Sequence, residues 1–251
     1  MNRFGGRVAI VTGASRGIGR AIAQRILEEG GSVTITARSE EPLYQTAAEL
    51  GGEDRVLAVP GKAHDSDHQQ DAVHRAIDAF GRVDILVNNT GINPVLAPVL
   101  DVEPAAMAKV YEVNVIAAHQ WVRTVHQAWM AEHGGVVVNI ASIAGQFPSP
   151  GISAYGVTKA ALINLTQQLA FELAPGIRVN AVAPAVVKTR FAEALYTDNE
   201  DQVAAGYPLR RLGTPEDVAG TVAFLASPDA EWMTGQVLTL DGGVTLGGGL
   251  G

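Results

Sequence analysis

Short runs of β-branched and aliphatic residues alternate along this chain with longer stretches whose apolar positions recur at helical spacing. Strands are predicted at RVAIVTG (7–13), SVTITA (32–37), RVLAVP (55–60), VDILVN (83–88), GVVVNIAS (135–142), IRVNAVAP (177–184) and QVLTLDGG (236–243). Helices are predicted between them, near residues 17–29, 41–50, 67–80, 104–132, 154–174 and 215–226.

The strand runs are mostly apolar without strict alternation, which indicates strands that are covered on both faces. Strands and helices follow one another throughout, and the connections are short except at residues 185–214. This order predicts an α/β fold, a Rossmann-type doubly wound parallel sheet of seven strands that forms one domain over residues 1–251. A substrate lid is expected at about 187–213, and ligands are expected beyond the carboxyl ends of the strands.

Composition excludes several classes of function. The 251 residues are 47% hydrophobic, which is enough for a substantial core. A net charge of -8 argues against a nucleic-acid or anionic-membrane partner. There is no cysteine for disulfides or thiolate chemistry, and the six histidines are too scattered to suggest a metal site. Without a signal-peptide pattern or a long apolar run, the protein is expected to be soluble and cytoplasmic.

The first strand leads directly into TGASRGIG (12–19), in which Gly13, Gly17 and Gly19 open a helix. Glycines at such a place serve either a tight turn alone or a pyrophosphate that is bound by backbone N–H groups and the helix dipole. The spacing here is G-x3-G-x-G, and NNTG (88–91) follows the fourth strand. With these two motifs the chain resembles the short-chain dehydrogenase/reductase family.

The resemblance covers essentially the whole chain and implies a catalytic group of Asn114, Ser142, Tyr155 and Lys159. Tyr155 and Lys159, in SAYGVTK, are four residues apart, a spacing that also suits two side chains sheltering each other on a helix surface. All four residues occur in the family's order, however, and Tyr155 follows Ser142 at the family's spacing. A catalytic site is therefore favoured over an accidental pair.

The chemistry of the group explains why these residue types are needed. A tyrosine with its usual pKa near 10 exchanges protons poorly at neutral pH. A lysine charge about 5 Å away contributes roughly 3 kcal/mol at an effective dielectric constant of about 20, which predicts a Tyr155 pKa near 8. The resemblance implies that Lys159 also hydrogen-bonds the nicotinamide ribose, that Ser142 orients the substrate carbonyl, and that Asn114 holds a water molecule that relays protons.

The end of the second strand bears on the choice of cofactor. An acidic residue there would accept the adenosine ribose hydroxyl, but TARSEE has Ala37 followed by Arg38. Arg38 and Arg16 together suit a 2′-phosphate, so NADP(H) is preferred. NAD(H) stays possible if the arginines face solvent or stack on adenine. The resemblance implies the cofactor-binding residues Gly13, Ser15, Arg16, Gly17, Ile18, Gly19, Arg38, Ala63, Asn89, Gly91, Tyr155, Lys159, Pro184, Val187 and Thr189.

Three residues depart from the family pattern. Thr90 replaces an alanine and adds a hydroxyl to the floor of the cofactor site. Lys62 stands where an adenine-binding aspartate is common, so no side-chain role is assigned to it. Ala185 replaces a glycine, which would cost about 1 kcal/mol if that turn required a positive φ.

The substrate is less clearly indicated. Apolar residues dominate the segments expected around the cleft and predict a pocket for an aliphatic or aromatic ketone. The candidate pocket residues are Ile92, Val95, Phe147, Phe191, Leu195 and Tyr196. Phe191 and Leu195 fit ordinary packing of a lid equally well.

Two alternatives to a small-ketone reductase stay open. One is a 3-oxoacyl-[acyl-carrier-protein] reductase, although MAEHGG (130–135) lacks the basic cluster that would grip an acidic carrier. The other is a non-catalytic dinucleotide-binding regulator. The residues do not distinguish ketone reduction from alcohol oxidation.

The resemblance also implies a homotetramer, because family members commonly pair two helices about one axis and the last strand about another. The helices at 104–132 and 154–174 carry more apolar residues than one face needs. These residues include Trp121, Trp129, Leu162, Leu165, Leu169 and Phe171. The glycine-rich tail at 241–251 either joins such an interface or is disordered.

Overall fold

The computed structural model describes residues 2–51 and 54–247. Seven strands form one sheet in the order β3-β2-β1-β4-β5-β6-β7, and every neighbouring pair is parallel. The fold class predicted from the sequence is thus confirmed. The strands are β1 Val8–Thr12, β2 Ser32–Ala37, β3 Val56–Pro60, β4 Ile85–Asn88, β5 Gly135–Ile140, β6 Ile177–Pro184 and β7 Val237–Leu240.

Helices connect the strands and cover both faces of the sheet. They are α1 Gly17–Glu28, α2 Glu40–Leu50, α3 Ser66–Phe80, α4 Pro104–Tyr111, α5 Ala117–Val125, α6 Ala131–His133, α7 Ser153–Glu172, α8 Glu200–Ala205 and α9 Pro215–Ala226. The single helix expected at 104–132 is interrupted by π-helical segments at Glu112–Ile116 and His126–Met130. Helix α8, inside the expected lid, was not predicted from the sequence.

Adjacent residues of the buried strands face opposite layers of core. Val11 packs with Ile26 of α1 and Val222 of α9 on one face of the sheet. Ile10 packs with Val73 of α3 and Trp121 of α5 on the other face. Such two-sided burial is what strands without polar alternation require. Trp121 and Leu162, considered above for contact with another chain, are buried inside this one, whereas Phe171 is 86% exposed.

The chain changes direction across the sheet at β1. From β1 it proceeds through β2 to β3 at one edge, then returns to β4 on the other side of β1. The helices on the two faces therefore diverge beyond the carboxyl ends of β1 and β4 and leave a crevice there. The division into domains and the lid boundaries stay predictions.

Candidate active site

The glycine turn lies at this crevice and leaves no room for side chains. Gly13 and Gly17 have φ values of 66° and 56°, which favour glycine. A Cβ atom on Gly19 would lie 2.5 Å from the Asn89 Nδ2 atom and 2.6 Å from the Gly13 carbonyl oxygen. Arg16 is the N-cap of α1 but makes no side-chain capping bond. The N–H groups of the first turn therefore have no side-chain cap, which suits an anion as their acceptor.

Thr12 and Asn89 support the glycine turn at residues 12–19, and together they form a cradle. The Thr12 hydroxyl oxygen accepts hydrogen bonds from the N–H groups of Asn89 and Thr90, both at 3.0 Å. The Asn89 side-chain amide donates to the carbonyl oxygens of Thr12 (2.8 Å) and Gly13 (3.1 Å). Asn89, a predicted cofactor residue, thus holds the turn itself. Thr12 was not predicted as a site residue, because its only signal in the sequence is a polar residue that ends a buried strand.

The expected adenosine end is formed by the ends of β2 and β3. At these ends Ala37 pairs with Pro60, and the Gly61 N–H donates to the Ala37 carbonyl oxygen at 2.9 Å. Arg38 and Lys62, which follow the two strands, are therefore neighbours at the edge of the sheet. The side chains of Arg16, Arg38 and Lys62 form no ion pair with any residue that the structure describes. A glycine cradle beside unpaired cations fits a phosphorylated dinucleotide.

The segment after β6 closes over the cradle. The Thr189 Cγ2 atom lies 3.3 Å from the position that a Cβ atom on Gly17 would take. Val187 is buried and pairs with Gly213 in an isolated bridge. Among the described residues only Arg210 combines a side chain with a positive φ, so Ala185 does not carry the strain considered above. Thr189 lies against the glycine turn, and its expected role in binding the cofactor stays a prediction.

The four predicted catalytic residues converge at the same edge of the sheet. Ser142 follows the end of β5, and Tyr155 and Lys159 lie one turn apart near the start of α7. The Lys159 Nζ atom lies 5.5 Å from the centre of the Tyr155 ring. A Cβ atom on Gly91 would lie 3.4 Å from Lys159 Nζ and 3.6 Å from Asn114 Oδ1. Lys159 thus lies between Asn114 and Tyr155, and the Tyr155 hydroxyl is in turn next to Ser142, so the structure brings the four residues together.

The proton affinities of this group differ from the sequence-based expectation. Burial raises the pKa of Tyr155 to about 12, although the neighbouring Ser142 hydroxyl lowers it. Burial likewise lowers the pKa of Lys159 to about 8. The prediction of a Tyr155 pKa near 8 is wrong because it counted the lysine charge and omitted the cost of burying a phenolate. The Lys159 ammonium also donates to the Ile140 carbonyl oxygen, at 2.6 Å.

Asn114 lies inside the first π-helical segment, a type of irregularity that frequently marks functional sites. Its side chain accepts a hydrogen bond from the Ile92 N–H (2.8 Å) and donates to the Ile92 carbonyl oxygen and to Thr158 Oγ1, both at 3.0 Å. Thr158, which the sequence analysis missed, donates in turn to the Tyr155 carbonyl oxygen at 2.7 Å. Asn114 therefore ties the NNTG loop to the tyrosine helix. Its proton relay stays a prediction.

An apolar wall stands beside Tyr155. The Phe191 ring centre lies 5.9 Å from that of Tyr155, and Phe191 is 57% exposed. Phe147 and Leu195 are also exposed, whereas Ile92 and Val95 are partly buried. Tyr196 differs from the other predicted pocket residues, because its ring packs with Tyr207 and Leu212 in the small core under the lid.

Neither a membrane span nor a metal cluster is found in the part of the chain that the structure describes. No helix there has the length and hydropathy to cross a bilayer. No group of three or more histidine, aspartate or glutamate side chains there could hold a metal ion.

A glycine cradle at the switch point of a parallel sheet, with a Ser–Tyr–Lys group at the same edge, defines a dinucleotide-dependent oxidoreductase. The family model described as Enoyl-(Acyl carrier protein) reductase matches residues 13–245. The chain belongs to the short-chain dehydrogenase/reductase family, whose members are NAD(P)-dependent oxidoreductases that act on CH–OH groups.

Individual relatives agree with this assignment. Dehydrogenase/reductase SDR family member 4 is 42% identical in Caenorhabditis elegans, covering 96% of each chain, and 40% identical in Homo sapiens, covering 94% of this chain and 87% of the relative. Tropinone reductase-like 3 from Erythroxylum coca is 38% identical, with coverages of 96% and 94%. The crystal structure of a glucose/ribitol-type short-chain dehydrogenase/reductase from Brucella melitensis is 31% identical, with a TM-score of 0.92 and coverages of 96% and 98%.

Proposed function

We propose that this protein reduces hydrophobic ketones to secondary alcohols with NADPH and that Tyr155 is the proton donor. The observation that carries the proposal is the convergence of Tyr155, Lys159 and Ser142 beside the exposed ring of Phe191. A carbonyl carbon bearing apolar substituents suits this arrangement, since the polar groups meet its oxygen and the aromatic wall meets its substituents.

Each residue of the group has a distinct task in this reaction. The bound nicotinamide supplies the hydride. Tyr155, with a pKa of about 12, stays protonated at neutral pH and gives its proton to the developing alkoxide. Lys159, with a pKa of about 8, stays mostly protonated and stabilises the phenolate that remains. Ser142 donates a hydrogen bond to the substrate oxygen and thereby holds it beside the phenol.

The preference for NADPH rests on charge. Arg38 follows β2, and Arg16 lies in the glycine turn as the N-cap of α1. Neither forms an ion pair among the described residues, in a chain whose net charge is -8. Ala37 supplies no carboxylate for a ribose hydroxyl. A 2′-phosphate would therefore meet two cations, and no acidic residue occupies positions 37–39 between β2 and α2.

A 3-oxoacyl thioester on an acyl carrier protein is the second candidate substrate. The description of the matching family model names the same carrier, although with an enoyl rather than a 3-oxoacyl group. The corner between α6 and β5 argues against it. His133 there stacks on Trp129, with ring centres 3.8 Å apart, and its only charged neighbour within residues 130–135 is Glu132. The name of the coca relative, tropinone reductase-like 3, favours a small ketone instead.

The test is cofactor oxidation, followed by absorbance at about 340 nm. NADPH and NADH are each offered with bulky aromatic ketones, small aliphatic ketones and a 3-oxoacyl thioester. We expect the highest kcat/KM with NADPH and the bulky ketones. Thioester reduction that exceeds ketone reduction would favour the second candidate, and no oxidation with any substrate would contradict both.

We also propose that the protein is a homotetramer. Helices α4 and α7 and the π-helical segment between α4 and α5 expose apolar side chains that the chain's own core does not cover. These are Tyr111, Ile116, Val157 and Phe171. Burying them against other copies would remove apolar area from water. Of the tail, residues 244–247 form a short helical turn, and 248–251 lie outside the described residues.

Light scattering tests the assembly. We expect a mass about four times that of the 26.2 kDa chain, and activity that falls when dilution separates the copies. Phe171→Asp should lower the mass, since a carboxylate would be buried at the contact. A fully active monomer would contradict the proposal.

A further inference from the structure

The hydroxyl of Thr90 lies at the crevice beyond the ends of β1 and β4. Thr90 is two residues beyond the end of β4, opposite the glycine turn that follows β1. Its N–H donates to the Thr12 hydroxyl oxygen at 3.0 Å, in the same way as the preceding Asn89. The backbone of Thr90 is therefore held at the switch point of the sheet, where ligands of such folds bind.

The side chain faces the cradle. A Cβ atom on Gly13 would lie 3.0 Å from the Thr90 Oγ1 atom and 3.3 Å from its Cα atom. The Thr90 hydroxyl thus lies next to the space that a side chain at position 13 would occupy. Because threonine is β-branched, its χ1 angle has few alternatives and the hydroxyl is held in a narrow range of directions.

The hydroxyl has unused hydrogen-bonding capacity. Nothing in residues 2–51 and 54–247 bonds to Thr90 Oγ1, whose neighbours Asn89 and Thr12 bond to the backbone and to each other. Thr90 Oγ1 is not among the fully enclosed side-chain atoms that lack a partner, so it keeps some exposure to solvent. A partly buried hydroxyl that has a fixed direction and no partner is suited to a ligand.

We infer that Thr90 is a cofactor-contact residue whose hydroxyl donates a hydrogen bond to an oxygen of the ribose–pyrophosphate segment of the dinucleotide. The inference rests on the proposed use of a dinucleotide, but not on the preference for NADPH. Phosphate and ribose oxygens in this segment are common to NADPH and NADH. Thr90 therefore strengthens the binding of both cofactors, whereas Arg16 and Arg38 distinguish between them.

The experiment compares substitutions that separate the hydroxyl from the space it fills. Thr90→Val keeps the shape and removes the hydroxyl, and Thr90→Ser keeps the hydroxyl. The dissociation constants of NADPH, NADH and ADP-ribose are measured by calorimetry, with no turnover involved. We expect Thr90→Val to weaken all three ligands by about tenfold, equivalent to about 1.4 kcal/mol, and Thr90→Ser to stay within about twofold of wild type.

Controls keep the result independent of folding. Thr221→Val removes a hydroxyl that bonds within its own helix, and should change no dissociation constant. Thermal melting without ligand checks each variant, and Thr90→Ala replaces Thr90→Val if the latter does not fold. If the wild-type protein binds both cofactors and Thr90→Val binds them equally well, this inference alone is overturned. It is also overturned if Thr90→Val weakens the cofactors but not ADP-ribose. A wild-type protein that binds neither cofactor overturns the proposed function as well.

Discussion

The cofactor cradle and the substrate wall lie at the same edge of the sheet but are built in opposite ways. In the cradle, Thr12, Gly13 and Asn89 are joined by short hydrogen bonds, and a Cβ atom has no room on Gly19. In the wall, Phe191 and Phe147 are 57% and 40% exposed and belong to connections rather than to strands.

The difference has a physical consequence for recognition. Hydrogen-bonded backbone at strand ends has one arrangement, so the cradle is preorganised for one kind of ligand. Exposed side chains on connecting segments are positioned by few contacts and tolerate different ligand shapes. In the proposed function, the cradle therefore determines the cofactor class, and the wall determines which ketones are accepted.

The largest expected effect is at the boundary of the two regions. Tyr155→Phe should lower kcat by about 10³-fold or more, because it removes the proposed proton donor while keeping the ring beside Phe191. The dissociation constant of NADPH should change little, since the cradle does not depend on the phenol. Single-turnover assays and calorimetry measure the two quantities. Tyr44→Phe, on the exposed face of α2, is the matched control. Activity within tenfold of wild type would contradict the role of Tyr155.

The next effect is confined to the cradle. Arg38→Asp should lower the NADPH/NADH ratio of kcat/KM by about 100-fold, because a carboxylate would repel the 2′-phosphate and could accept a ribose hydroxyl. The preference among ketones should not change. Arg75→Asp, a charge reversal on α3 at an exposed ion pair, is the control. If the ratio is unchanged, Arg38 is a surface residue and the NADPH preference has another origin.

Sequence patterns predicted the sheet more completely than the site. Residues 32–37 and 177–184 are strands with the predicted bounds, because β-branched runs buried on both faces admit few other structures. The π-helical segment that contains Asn114 carries no comparable signal, since its residues have ordinary helical spacing. The predicted role of Asn114 could not include its bonds to Ile92 and Thr158, which depend on tertiary packing.

Electrostatics in the site were predicted least well. Spacing along α7 correctly implied that Lys159 and Tyr155 lie close together, but not that both would be buried. Burial opposes the charged form of each group. The size of the resulting pKa shift depends on residues from several elements that come together only in the folded protein. Tyr196 was similarly assigned to the pocket from its position in the chain, although it packs under the lid.

A smaller effect is expected at the wall. Phe191→Ala should raise KM for bulky aromatic ketones by about tenfold, because it removes apolar surface beside Tyr155. Small aliphatic ketones should be affected less, and the dissociation constant of NADPH should be unchanged. Trp232→Ala, at a fully exposed aromatic residue, is the control. Equal losses for large and small ketones would show that Phe191 supports the lid and does not contact substrate.

The smallest effect on activity is expected at the C-terminal end of α1, the end of this helix that lies away from the glycine turn. Glu29 follows α1, its side chain is 5% exposed, and it accepts hydrogen bonds from Arg3 (2.5 and 2.7 Å) and Arg25 (2.5 Å). The hydrogen bond from Arg3 is the largest of the effects that lower the pKa of Glu29 to about 2. This interaction holds the N-terminal segment against α1 without contacting the glycine turn.

The lowered pKa makes this contribution dependent on pH. The unfolded state takes up a proton near pH 4.5 and the folded state only near pH 2, so the stabilisation is complete above about pH 4.5 and is lost as the pH falls towards 2. Glu29→Gln should lower the free energy of unfolding by roughly 2–3 kcal/mol at neutral pH, and its difference from wild type should narrow in acid. Urea unfolding at several pH values measures this. Asp229→Asn, at the exposed partner of Arg3, should change stability little. Parallel pH curves for wild type and Glu29→Gln would mean that Glu29 does not carry this pH dependence.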